Sequence, residues 1–299
     1  MTAPAVAIAV GDPIRRSRIP LTATAAVSGA VLIIILVAGL AAPWIAPHDP
    51  LQQSLADALQ PPGGAHLLGT DELGRDVFSR VVWGVRPLAL IVVLAVGIAA
   101  AFGFLYGLLA GTVRGPVATV LMRIADIQLS IPPIVLAVLL AVAMEPGITS
   151  VITAIALVTW PEYARIVRAE TLRVRTSDYV ALARVAGLSP LQVLRHHVVP
   201  NVVSGFVVIV TLNLSIAILF ASALSFLGLG VQPPTPDWGS MLADATQYLS
   251  SWWLVLAPGA AIMVSVLALN LVGDHVRDLL DPRISASVDT TVRTAGAQV

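Results

Sequence analysis

The 299 residues contain no cysteine, so neither a disulfide framework nor a thiolate metal site can hold this chain together. Lysine is also absent, and all 17 basic residues are arginine. A phosphate-binding loop of the form G-x-x-x-x-G-K-[ST] therefore cannot be completed, and Ser-x-x-Lys chemistry is excluded. Any ATP-driven work must draw on another chain. Charge of either sign is scarce, at 11% of residues against 57% apolar, and mean hydropathy is +0.90. That balance belongs with membrane proteins. The formal net charge of 0 carries little information, because in a bilayer the placement of charge matters more than its sum.

What is present in quantity is long apolar runs. They lie at about 21–42, 87–109, 117–144, 148–167, 202–221 and 253–272, and each can cross a hydrocarbon core of roughly 30 Å. The expected fold class is an all-α polytopic membrane protein with six transmembrane helices. Arg15, Arg16 and Arg18 precede the first run, but its length and its continuation through Pro43 and Trp44 predict a retained span and not a cleaved signal. With both termini inside, only Arg75, Arg80 and Arg86 fall on outer segments, and the other 14 of 17 arginines fall on or near the inner side. The expected division is a cytoplasmic lead at 1–20, a first span and extracytoplasmic segment at 21–84, a core transmembrane unit at 85–276 and a cytoplasmic tail at 277–299. A cytoplasmic loop occupies about 171–200.

Several polar positions stand out against this background. In the outer segment, Thr70 or Asp71 could cap an amphipathic surface helix starting at Leu73. His66, Asp71 and Asp76 could form a polar cluster there, although Asp71, Glu72 and Asp76 read as solvated loop acids. Gly97, Gly103 and Gly107 would permit close helix contact in the second span, and Gly111 falls in the turn after it. In the third span, Arg123 and Asp126 are three apart on one face and read as a paired structural or gating lock, with Pro132 and Pro133 kinking the helix beyond them. Asn213 and Ser215 are the polar members of the fifth span and are expected to bond between helices. Bulk added at Gly187 is expected to do more damage than substitution at Gly111.

Catalytic and metal chemistry find no support in the spacing. His48, His66, His196, His197 and His275 make no H-E-x-x-H or comparable ligand set, so no metal site is expected, and no serine lies in a hydrolase elbow. An ion-coupled carrier needs an ionisable group near a broken helix at the midplane, and no acid lies beside Pro132 and Pro133 in sequence. A transport path powered by a partner, an ion-coupled carrier and a non-transporting scaffold all remain open at this point.

The stretch 179–201 reads YVALARVAGLSPLQVLRHHVVPN and follows a run of arginines on the inner side. Ala181-Leu182-Ala183, then Gly187, then Val198-Val199-Pro200 resembles the cytoplasmic loop E-A-A-x-x-x-G…I-x-L-P of binding-protein-dependent ABC importer permeases. This chain has Ala181 in place of the usual glutamate, so the acidic contact is not carried over. His66, Gly69, Thr70, Asp71, Gly74, Arg75 and Asp76 are similar to the H-x-L-G-T-D-x-x-G-R-D pattern of the peptide and nickel subfamily. The stretch FLGLGVQPPTPDWG, with Pro233, Asp237 and Trp238, resembles its C-type subunits, as in dipeptide and oligopeptide importers.

The resemblance implies a type I importer permease fold and a heterodimeric pathway shared with a homologous B-type permease. It implies two ATP-binding subunits carrying ATP and Mg, and an extracytoplasmic binding protein that delivers peptide, or alternatively nickel or another small solute. No cofactor is expected in this chain. The coupling segment would comprise Ala181, Leu182, Ala183, Arg184, Gly187, Leu188, Ser189, Pro190, Val193 and Arg195. Within it, Gly187 breaks one helix, and Ser189 caps a second whose first residue is Pro190.

Overall fold

The computed structural model describes residues 23–280, so the lead 1–20 and most of the tail 277–299 lie outside the described residues. The described residues are helical apart from the loops that join the helices, and the only β-type pairing among them is an isolated bridge between Thr70 and Asp76. Helix α1 (Ala23–Leu40) and the short α2 (Ala42–Ile45) lead into an irregular stretch, and α3 (Val77–Thr112) follows. Asp76 is the N-cap of α3, accepting from the Ser79 N–H. The surface helix expected from Leu73 is therefore corrected: residues up to Asp76 fold as loop, and Val77 onward joins the second span in one helix of 36 residues. Pro87 lies inside that helix without ending it.

The third apolar run departs most from expectation. It forms α4 (Pro116–Leu129) and α5 (Pro133–Ala143), set at 85° to one another. Pro133 lies in the first turn of α5, where a missing N–H is harmless, and Pro132 is the N-cap, so the pair starts a new helix where a kink was expected. Helix α6 (Ile148–Arg175) then runs parallel to α3. Added Cβ atoms at Gly103, Gly107 and Gly111 would lie 2.6 Å from the Trp160 carbonyl oxygen, 2.3 Å from that of Ala164 and 2.7 Å from Thr171 Cβ. Gly111 thus belongs to this packing face, and the turn expected there begins later.

Two short helices, α7 (Asp178–Val185) and α8 (Pro190–Val193), precede α9 (Val199–Phe226), α10 (Trp238–Ala245) and α11 (Trp252–Leu280). α9 packs against both α6 and α11, and α1 lies across α11 and α3. Arg86 joins α1 to α3 by donating to the carbonyls of Gly39 at 2.7 Å and Leu40 at 2.8 Å, the end of a helix where a cation is favoured. In the fifth span, Ser215 donates to Asn270 of α11 at 2.6 Å, a bond between helices.

Among the described residues, four helical stretches are long and apolar enough to cross a membrane, Ala23–Leu40, Val77–Thr112, Pro190–Phe226 and Trp252–Leu280, or five if α4 and α5 make one broken span. Helix α6 is long enough at 28 residues but is more polar, with Glu162, Arg165, Arg168 and Glu170 along it. The chain is thus a polytopic all-α membrane protein.

Candidate functional sites at the two ends of the bundle

The irregular segment before α3 folds around two buried acids. Asp71 and Asp76 are 5% and 2% exposed, which corrects their reading as solvated loop acids. Asp71 Oδ1 accepts from the backbone N–H of Leu73 and Arg75, and its Oδ2 lies 2.6 Å from Arg75 Nε and 3.4 Å from Arg80 Nε. Asp76 Oδ2 is taken by Ser79, and its Oδ1 meets His66 Nδ1 at 2.9 Å. Gly69 and Gly74 hold φ near +74° and +71°, and a Cβ at Gly74 would lie 1.8 Å from the Ser54 carbonyl oxygen, so the turn requires glycine. Glu72 is half-buried, and its carboxyl is pushed up by burial first, with Asp71 adding to the effect.

The segment from the end of α9 to the start of α11 closes over this one. Trp253 Nε1 donates to the Thr70 carbonyl at 3.1 Å, and Trp238 Nε1 donates to the Val81 carbonyl at 2.8 Å. Asp237 caps α10 by accepting from the Ser240 N–H at 3.0 Å. Burial pushes the Asp237 carboxyl above its usual range, and hydrogen bonds from Ser240, Ser225 and Gly239 partly offset it. Pro233 is exposed beside this network. His48, His66 and Asp76 each bring one ligand-type atom within 4.8 Å of the others, the one such grouping among the described residues. Sequence spacing missed it because His48 belongs to a different turn. Within the grouping, Asp76 Oδ1 is engaged by His66, while His48 Nδ1, 3.7 Å from the same oxygen, makes no hydrogen bond among the described residues.

At the other end, Gly187 with φ +85° ends α7, and Ser189 opens α8 in a reciprocal capping box with Gln192. The residues singled out in this hairpin divide into two groups. Ala183 and Val193 are buried against Val167, Val174 and Val202, with Leu188 partly buried beside them, and so fasten the hairpin to α6 and α9. Ala181, Leu182, Arg184, Gly187, Ser189, Pro190 and Arg195 are exposed. Val185 and Leu191, 87% and 72% exposed, join Leu182 as outward apolar side chains that the motif alone did not single out. Arg175 Nη1 donates to the Gly111 and Thr112 carbonyls, joining the ends of α3 and α6 above the hairpin.

Arg123 and Asp126 do not pair: both are exposed on α4, and no ion pair joins them among the described residues. The lock read from their spacing is corrected, since residues three apart share a face without their charged ends having to meet. A cavity of about 210 Å³ opens where Pro133 of α5 faces α6 and α9, and Glu162 lines it. The broken helix thus has an acid beside it in space that it lacks in sequence.

The family model for a binding-protein-dependent transport system inner membrane component matches residues 103–286, and that for the N-terminal TM domain of oligopeptide transport permease C matches residues 23–62. The chain is 45% identical over 260 residues to the di/tripeptide transport system permease protein DppC of Pseudomonas aeruginosa, covering 85% of this chain and 86% of that one. It is 42% identical over 265 residues to the probable D,D-dipeptide transport system permease protein DdpC of Escherichia coli, covering 88% of each. A chain of the MetNI methionine ABC transporter, from a structure of its inward-facing conformations, shares the fold at TM-score 0.57 and 19% identity, over 67% of this chain and 96% of that one. By its family match and by relatives similar along most of its length, the chain belongs to the inner-membrane permease components of binding-protein-dependent transport systems.

Proposed function

We propose that this permease forms half of a heterodimeric pathway that imports dipeptides or oligopeptides. Its partners are a homologous B-type permease, two ATP-binding subunits that carry ATP and Mg, and an extracytoplasmic binding protein. The observation that carries the reading is the hairpin α7–α8: Leu182, Val185 and Leu191 stand exposed on a rigid, capped turn whose other face is anchored to α6 and α9. Exposed apolar side chains grouped on a fixed element suit a protein partner. The chain itself performs no covalent step, and its relatives named as peptide permeases support peptide as the solute. The coupling role extends to Ala181, Arg184, Gly187, Ser189, Pro190 and Arg195, which share that exposed surface, and Pro132 and Pro133 are the hinge for gating.

The reading includes six crossings with both termini cytoplasmic. Because α3 and α6 are parallel, the broken pair α4–α5 must return the chain across the bilayer between them. Helix α6 then crosses inside the bundle, with its glycine-lined contact to α3 sparing it full exposure to lipid. The test is reconstitution of the complete complex in proteoliposomes with its binding protein. ATP-dependent uptake of a labelled peptide is expected, and uptake that continues with an inactive ATPase would instead favour an ion-coupled carrier.

A further inference from the structure

The cavity beside Pro133 lies near the middle of α3 and α9, with Val96 of α3 and Phe220 of α9 among its walls. Its lining is mostly apolar, and Glu162 has no ion pair or hydrogen bond among the described residues. Glu162 is exposed to this opening midway along α6, and an acid at such a place in a spanning helix marks a functional site in a membrane protein. Two further groups line the same space. Tyr163 and Asn213 are 0% and 6% exposed, and their polar ends face one another without a well-formed hydrogen bond, which leaves Tyr163 Oη and Asn213 Nδ2 imperfectly paired. Buried polar atoms are rarely left this way unless a ligand or water meets them.

We propose that this cavity binds the protonated amino terminus of a peptide in transit, with Glu162 holding the ammonium group and Tyr163 and Asn213 meeting the adjoining amide. The inference rests on the peptide-import reading above. An α-ammonium supplies three donors and stays largely charged near neutral pH. A peptide carboxylate at the same place would be repelled by Glu162, so the amino end lies against α6. A single carboxylate with no imidazole or second acid is a poor cage for nickel, so the cavity favours peptide over that metal.

The test uses the reconstituted complex and a dipeptide with a photoreactive side chain, supplied to the permease without the binding protein. In the wild type the free-amine probe should label α6 and α9, and its N-acetylated form should label at least about tenfold less, the loss expected for one charge-assisted hydrogen-bonded contact. Glu162→Gln should reduce free-amine labelling to the level of the acetylated probe, Glu162→Asp should restore part of it, and labelling by the acetylated probe should be the same in the wild type and both variants. Equal labelling by both probes, or unchanged labelling in Glu162→Gln, would overturn the assignment. A wild-type complex that imports no peptide with its binding protein present would instead overturn the import reading, whichever way Glu162 behaves.

Discussion

Asp71 accepts from two backbone N–H groups and anchors two guanidinium groups while almost wholly removed from solvent. A buried acid in this position is far more sensitive to substitution than a surface acid. Asp71→Asn leaves Arg80 without its anion and Arg75 with Glu72 alone, and should destabilise the protein by about 3–5 kcal/mol, read as a lowered melting temperature in detergent. Glu170→Gln breaks the Arg173 pair at 2.8 Å, but Arg173 is 70% exposed, and the loss should stay below about 1 kcal/mol. Equal shifts for the two variants would contradict the burial of the outer network. The motif made Asp71, Arg75 and Asp76 conspicuous in the sequence, but their burial could not be read there. It depends on Trp253, which reaches Thr70 from the far end of the chain.

At the scale of the helix, two glycines separate packing from coupling. Gly107 has the Ala164 carbonyl where a Cβ would go, so Gly107→Leu should prevent α3 and α6 from seating and eliminate the folded peak in size-exclusion chromatography. Gly187 has open space around it, and its constraint is the positive φ alone. Gly187→Leu should therefore leave a folded permease that assembles poorly with its ATPase subunits and loses transport-linked ATP hydrolysis, with Gly29→Ala behaving as wild type. Gly111 is no control, since it lies against Thr171. The runs that became α1, α3, α9 and α11 were legible from apolar length, and the Gly187–Ser189–Pro190 break from local backbone preference. The 85° break between α4 and α5 was legible only as a kink, because two prolines fix where a helix ends and not the direction the next one takes. Glu162 falls within the apolar run 148–167, but its position beside Pro133 is a tertiary fact with no local trace.

At the scale of the whole molecule, the hairpin and the outer network lie at opposite ends of α3, whose 36 residues span about 54 Å. Because the chain has no cysteine, single cysteines can test the proposed orientation without background. Leu249→Cys, at an exposed position before α11, should react with an impermeant maleimide in intact cells, and Val185→Cys should react only after permeabilisation. The opposite pattern would invert the topology. The indole bond that closes the outer network also bears on biosynthesis. Thr70 and Trp253 are 183 residues apart, so at roughly 5–20 residues per second the Thr70 carbonyl waits on the order of ten to forty seconds for its donor to be translated. Until α11 is inserted, the cap of a nascent permease lacks the bond that ties its first segment to its last helix, and a chain truncated before that helix should be cut within residues 46–76 by added protease faster than the full chain.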